Sequence, residues 1–103
     1  MANQDFSPIT PGEMLLEEFL KPKGLSQNAL ARAMRVPLDR VNAIVHGKRT
    51  ITADTALRLA TALGTTPEFW LNLQSKYRLE IAREQIGEQV KMEVIPLLTE
   101  SLA

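Results

Sequence analysis

The sequence predicts an all-α fold of five helices. Four segments follow a serine or threonine that can cap a helix, and glycine or proline ends most of them. Within these segments apolar residues recur three and four positions apart, which is the spacing of one helix face. No strand-like alternation of apolar and polar residues occurs before Gly87. A length of 103 residues fits one domain with a modest core.

The first predicted helix begins at TPGE, Thr10 to Glu13, which has the spacing of a capping box with proline at the first helical position. It should end near Lys21, because the proline that follows disfavours helical geometry in the residue before it. Ser26 then caps a second helix over residues 27–34.

Residues 35–37 are predicted to form a turn, and a third helix follows over residues 38–46 until a glycine stops it. The fourth helix should cover residues 53–63 and again end at a glycine. The fifth helix starts at TPEF and should reach about Gln85, because no helix breaker precedes Gly87.

The tail after the fifth helix is ambiguous. The apolar residues between Val90 and Val94 alternate as in a strand, but the same segment can also continue a helix until Pro96. We therefore predict one helical domain over residues 1–86, followed by a short C-terminal tail of uncertain structure. This tail, residues 87–103, is a candidate for contacts with a second copy or a partner.

The composition excludes several classes of protein. The chain has no cysteine and a single histidine, His46, so we expect no disulfide and no metal site. It shows no cleft-like pair of carboxylates, no glycine-rich phosphate loop and no nucleophile motif, so we expect neither an enzyme nor a cofactor. It has no export signal and no apolar stretch of roughly 20 residues, which predicts a cytoplasmic protein without membrane contact.

The net charge is zero, but the charges are unevenly distributed. Residues 1–20 contain four acids and no base, and residues 21–49 contain seven bases and one acid. The remaining residues contain five bases and seven acids. The basic block coincides with the second and third predicted helices, which makes it either a face for an anionic ligand or a solvated charged surface.

Two short helices joined by a turn of three or four residues describe a helix-turn-helix, whose second helix enters the major groove of DNA. The blocks LSQNALARAM, VNAIVHGKR and ITADTALRLATALGTTPEFWLNLQ resemble the XRE-type helix-turn-helix family, which has a lambda-repressor-like fold. More narrowly, the chain resembles the HigA-type antitoxins, also described as virulence-associated protein I-like. The likeness covers roughly residues 9–83, and its most specific parts are PGEMLLEEFL and GTTPEFWLNLQ.

This resemblance implies a homodimeric repressor that binds double-stranded DNA at the operator of its own operon and neutralises a HigB/RelE-like ribonuclease toxin. A solitary XRE-type transcriptional regulator without a toxin partner is the alternative, because its helix-turn-helix would look the same. A pure protein-interaction module would predict no DNA binding, and the basic block argues against it. Many helix-turn-helix proteins carry glycine in the turn where this chain has Arg35, which is strained if the position needs a positive φ.

The third helix supplies the candidates for reading bases, because Val41 and Ile44 are predicted to face the core. Arg40 can donate two hydrogen bonds to guanine or hold a phosphate, and Asn42 can bond an adenine edge. Asp39 either accepts from cytosine N4 or favours the helix N-terminus through the dipole. The base-readout candidates are Leu38, Asp39, Arg40, Asn42 and Ala43.

Four further residues are candidates for phosphate contacts. Gln27 lies in the first turn of the second helix, where XRE-like proteins place a residue against the DNA backbone, so its role follows from the resemblance. Lys48 and Arg49 follow the third helix and are expected to hold phosphates, with a solvated loop as the alternative. His46 at the helix end either touches a phosphate or has no role.

The fifth helix carries more apolar residues than one core stripe needs. Phe69 and Leu73 are predicted to lie in the core, whereas Trp70 and Tyr77 are candidates for either the core or a dimer interface. A dimer would place two copies on two half-sites about one helical turn apart.

Overall fold

The computed structural model describes residues 8–98. Within this range the chain forms five helices and no strand, which confirms the predicted all-α fold. The helices are α1 (Pro11–Met14, continued by the π-helical turns Leu15–Leu20), α2 (Gln27–Met34), α3 (Leu38–Val45), α4 (Ala53–Leu63) and α5 (Pro67–Glu93).

The predicted helix starts are confirmed by their caps. Thr10 Oγ1 accepts from Glu13 N at 3.0 Å and Glu13 Oε1 accepts from Thr10 N at 2.9 Å, which completes the capping box. The side chains of Ser26, Thr52 and Thr66 accept from the backbone N–H three residues later at the starts of α2, α4 and α5. Local sequence therefore sets where these helices begin.

The second half of α1 is wider than an ordinary α-helix. Lys21 N donates to Leu16 O, five residues back, at 2.9 Å, which is the hydrogen bond of a π-helix. This geometry was not predicted from the sequence. Because a π-turn brings residues five apart toward one side, Leu15 and Leu20 both reach the core and are at most 1% exposed.

The core centres on Trp70, which has no exposed surface. Its ring lies 5.2 Å from that of Phe19 and 4.9 Å from that of Phe69, measured between centroids, so α1 and α5 meet in an aromatic cluster. The indole Nε1 donates to Thr65 Oγ1 at 2.7 Å, which satisfies its only polar group. The other buried apolar residues that pack around this centre are Leu15, Leu20, Leu30, Ala31, Met34, Val41, Ile44, Val45, Ile51, Ala56 and Leu59.

The start of α1 packs directly on the end of α3. Gly12 is buried, and a Cβ added to it would overlap Ile44 O and lie 2.7 Å from Val45 O. Both are backbone atoms, which cannot move aside as the end of a flexible side chain can. Only glycine therefore allows this approach, and α1 supports the C-terminal end of α3.

α5 is longer than predicted, since it ends at Glu93 and not near Gln85. Gly87 lies inside the helix, because a glycine in a helix interior costs only about 0.5–1 kcal/mol relative to alanine and does not have to end it. Helical geometry stops at Val94, two residues before Pro96, so the helical alternative for the tail is correct up to Glu93. The predicted boundary between domain and tail stays a prediction, and the first seven residues of that domain and the end of the tail after residue 98 lie outside the described residues.

Candidate nucleic-acid interface

α2 and α3 are joined by a turn that begins in left-handed backbone geometry. Arg35 has φ 62° and ψ 43°, and Val36 N donates across it to Ala31 O at 3.0 Å. This is the position at which the sequence suggested strain if a positive φ were needed, and the positive φ is present. A residue with a Cβ pays about 1–2 kcal/mol for this conformation. The turn thus keeps helix-turn-helix geometry at a cost in stability.

The buried side of α3 agrees with the prediction. Val41 and Ile44 are buried against the core, and Val45 is buried with them. The remaining positions face away from the core to different degrees. Asp39 and Asn42 are exposed, Leu38 is 46% exposed, and Ala43 and Arg40 are half-buried.

Asn42 is held in place by the start of α2. Its Nδ2 donates to Gln27 Oε1 at 3.2 Å, although the two residues are 15 positions apart in sequence. One Nδ2 hydrogen and the Oδ1 atom of Asn42 are left, which is the donor and acceptor pair that an adenine edge requires. The structure therefore brings together a predicted phosphate residue and a predicted base reader.

Arg40 lies on the opposite side of α3 from Asn42. At about 100° per residue, Arg40 and Asn42 are about 200° apart around α3. Arg40 Nε is buried and has no hydrogen-bond partner among the described residues. The hydrogen bond from Arg58 holds the pKa of Asp54 below its ordinary value, and the positive charge of Arg40 acts in the same direction. Arg40 thus lies toward the start of α4.

The loop after α3 presents the basic residues that the sequence singled out. Lys48 and Arg49 are both exposed, directly after Gly47, which has φ 73°. His46 is tied back to the helix, since its Nδ1 lies 2.9 Å from Asn42 O. A carbonyl can only accept, so this nitrogen carries the hydrogen and Nε2 is left for another partner. The loop therefore places two cations and an imidazole edge beside the outward face of α3.

One polar network at this end of the molecule was missed in the sequence. Arg58 Nε donates to Asp54 Oδ1 at 2.6 Å, and Arg58 Nη1 donates to Met34 O at 2.9 Å. These bonds tie α4 to the end of α2 and satisfy a carbonyl that the helix leaves without a partner. The i, i+4 spacing of aspartate and arginine was the available signal.

The two dimer candidates differ in their exposure. Trp70 has no exposed surface within a single chain and packs against its own core, so of its two alternatives the core is correct and the dimer interface is not. Tyr77 is half-buried and can still take part in an interface. Phe69 and Leu73 pack against the core, as predicted.

Within residues 8–98 no three His, Asp or Glu side chains are placed to hold a metal ion. None of the described helices is long and apolar enough to cross a membrane.

Comparisons with known proteins show which family this chain resembles. The family described as Helix-turn-helix matches residues 16–70, more than half of the chain. Virulence-associated protein I of Dichelobacter nodosus is 50% identical over 93 residues, which cover 90% of this chain and 84% of that protein.

Two solved structures match nearly the whole length. One is the Pseudomonas aeruginosa antitoxin HigA with the higBA promoter, with 47% identity, 88% of this chain and 99% of that chain covered, and a TM-score of 0.83. The other is the antitoxin GraA in complex with its operator, with 44% identity, 96% and 100% covered, and a TM-score of 0.84. The chain therefore belongs to the HigA-type antitoxin family of XRE-class helix-turn-helix proteins.

Proposed function

We propose that this chain is a sequence-specific DNA-binding antitoxin that represses its own toxin–antitoxin operon and neutralises a RelE-like ribonuclease toxin. The exposed face of α3 and the basic loop beside it support this proposal, because they occur in a chain that shares 44–47% identity with antitoxins solved with promoter or operator DNA. Such a protein works in the cytoplasm, where its operator and its toxin are, and needs no catalytic group or cofactor.

In this proposal α3 enters the major groove. Asn42, with its amide oriented by Gln27, reads an adenine edge, and Leu38 and Ala43 can contact thymine methyl groups. Arg40, on the flank toward α4, either donates to guanine or holds a phosphate at the groove edge. Asp39, in the first turn of α3, fits either a cytosine N4 contact or a dipole role.

The remaining candidates would fix the position of the protein on the DNA without reading the base sequence. Lys48, Arg49 and His46 would contact phosphates on the strand next to the groove, because they lie in or next to the loop at the end of α3. Gln27, already bonded to Asn42, would touch the backbone at the start of α2.

We further propose that the chain acts as a homodimer through the distal half of α5. This half carries a stripe of Leu79, Ala82, Ile86 and Val90, three and four residues apart, on a face that no other described element covers. The leucine, isoleucine and valine are 50%, 49% and 43% exposed. A continuous exposed apolar stripe on a long helix indicates a partner surface, and a second copy satisfies it by a symmetric contact. Tyr77 stays a candidate at the inner end of this interface.

Co-expression tests the antitoxin half of the proposal. The chain is expressed with the product of the small open reading frame beside its gene, with an empty vector as the control. We expect the neighbour to stop growth alone, and to be harmless and to co-purify when this chain is present.

If the neighbour is not toxic, or if the chain neither restores growth nor forms a complex, the antitoxin proposal fails. Specific binding to the DNA upstream of its own gene would then identify a solitary XRE-type regulator.

A further inference from the structure

A cleft of about 380 Å³ lies between the start of α1, the loop after α3 and the middle of α5. Two exposed arginines, Arg49 of the loop and Arg78 of α5, line it, and no carboxylate among residues 8–98 does. The cleft on the other side of Tyr77 has two bases, but it also has two glutamates. The first cleft therefore carries a net positive charge, whereas the second is balanced.

The loop is fixed to α5 next to these arginines. Ile51 N donates to Gln74 Oε1 at 2.8 Å, and Ile51 is 3% exposed. Arg78 lies one helical turn after Gln74 and so on the same face of α5. Among the ion pairs formed within residues 8–98, none involves Arg49 or Arg78. Both arginines therefore lie on one side of the molecule, beside the C-terminal end of α3.

We propose that Arg78 contacts a DNA phosphate next to the one held by Arg49, so that the DNA-binding surface extends from the helix-turn-helix onto α5. This inference rests on the proposed DNA binding. With α3 in the major groove, the loop at its C-terminal end would lie over the neighbouring DNA backbone. The cationic cleft that this loop shares with α5 would then face the same DNA strand. Guanidinium groups suit this task, because they can donate two parallel hydrogen bonds to one phosphate.

The salt dependence of DNA binding tests this role. We would titrate the full chain against a duplex that spans the DNA upstream of its own gene, at several salt concentrations. Each phosphate contact contributes about 0.9 to the slope of log K against log salt, so a dimer with one Arg78 contact per copy should lose about 1.8 in Arg78→Gln. Between 50 and 200 mM salt, wild type should then lose about 12-fold more affinity than the variant does.

Two matched variants accompany it. Lys76→Gln removes one positive charge from an exposed position of α5 that lines the balanced cleft, and it should leave the slope unchanged. Arg78→Lys keeps the charge and should restore most of the slope. Because all three changes are at exposed positions, the thermal midpoints should agree.

The proposal is overturned if Arg78→Gln keeps the wild-type slope, or if Lys76→Gln lowers the slope by the same amount, since the effect would then be one of net charge. An effect of Arg78→Gln on a complex with a protein partner alone would assign the cleft to that partner and would also overturn it. If the wild-type chain does not prefer its own upstream DNA, the proposed function itself fails, which is a separate and recognisable result.

Discussion

Replacing Arg35 by glycine should stabilise the protein. In the structure Arg35 has φ 62°, a conformation that costs a residue with a Cβ about 1–2 kcal/mol. Glycine avoids this cost but loses about 0.5–1 kcal/mol of backbone entropy on folding, which leaves a net gain of about 0.75 kcal/mol from the centres of the two ranges. For a chain of 103 residues this corresponds to a rise in thermal midpoint of about 3–6 °C. Thermal unfolding followed by circular dichroism measures it.

Two variants separate backbone strain from charge in this experiment. Arg35→Gln removes the same charge from the basic block but keeps a Cβ, so its midpoint should stay close to that of wild type. Gly64→Ala introduces a Cβ at φ 75°, the same left-handed region at the end of α4, and should lower the midpoint by a similar amount. The reasoning is refuted if Arg35→Gly gives no rise, or if Arg35→Gln rises equally.

Three other predictions concern contacts outside the turn. Gly12→Ala should lower the free energy of unfolding by about 1–3 kcal/mol, because the added Cβ meets backbone carbonyl groups. Gly87→Ala should not destabilise the fold, because the neighbour nearest to its added Cβ is 3.9 Å away. Equal effects of the two changes in urea unfolding would contradict this. Asp54→Asn should be less stable than wild type at pH 7. The lowered pKa of Asp54 stabilises the fold above the unfolded-state pKa, and this is lost as pH falls through the folded one. The difference should therefore begin to shrink below about pH 4 and disappear once the pH lies below the lowered pKa; a difference that does not shrink as the pH falls contradicts it. Ile86→Glu should weaken the dimer by about 2 kcal/mol, about 30-fold in Kd, in sedimentation, and Gln85→Glu, off the stripe, should not; a dimer unchanged by both would place the interface elsewhere.

Helix starts could be predicted from sequence because their causes are local. Each capping side chain accepts from a backbone N–H three residues later, so both partners of the hydrogen bond are close in sequence. The capping residues are Thr10, Ser26, Thr52 and Thr66. The buried side of α3 followed from helical spacing for the same reason. Strain at Arg35 could be raised only as a possibility, from the glycine that many helix-turn-helix proteins carry in this turn, and the structure shows the positive φ.

Features that depend on distant contacts could not be predicted. Trp70 and Tyr77 looked equivalent in sequence, and only the packing of Phe19 against Trp70 shows that the tryptophan is fully used by its own core. The end of α5 was misjudged because Gly87 was read as a stop, although glycine only weakens a helix interior.

The candidate site was predicted as a set of residues but not as a geometry. Asn42 and Gln27 form one unit, and Arg40 lies apart from them toward α4, an arrangement that depends on how α2 and α4 pack on α3. Arg78 was not singled out at all, because its closeness to Arg49 exists only through the bond between Ile51 and Gln74. Charge along the sequence indicated a basic face on α2 and α3, but it gave no reason to place Arg78 beside it.

In the proposed function the outward face of α3 recognises a specific DNA sequence. The most direct test is the affinity of wild type and Arg40→Ala for the duplex upstream of the chain's own gene and for its single-base variants, at fixed salt. We expect wild type to bind this duplex at least about 10³-fold more tightly than a scrambled one, and Arg40→Ala to lose about 1–3 kcal/mol and relax specificity at one base if it reads guanine. Equal affinity of wild type for the upstream and scrambled duplexes would contradict the claim.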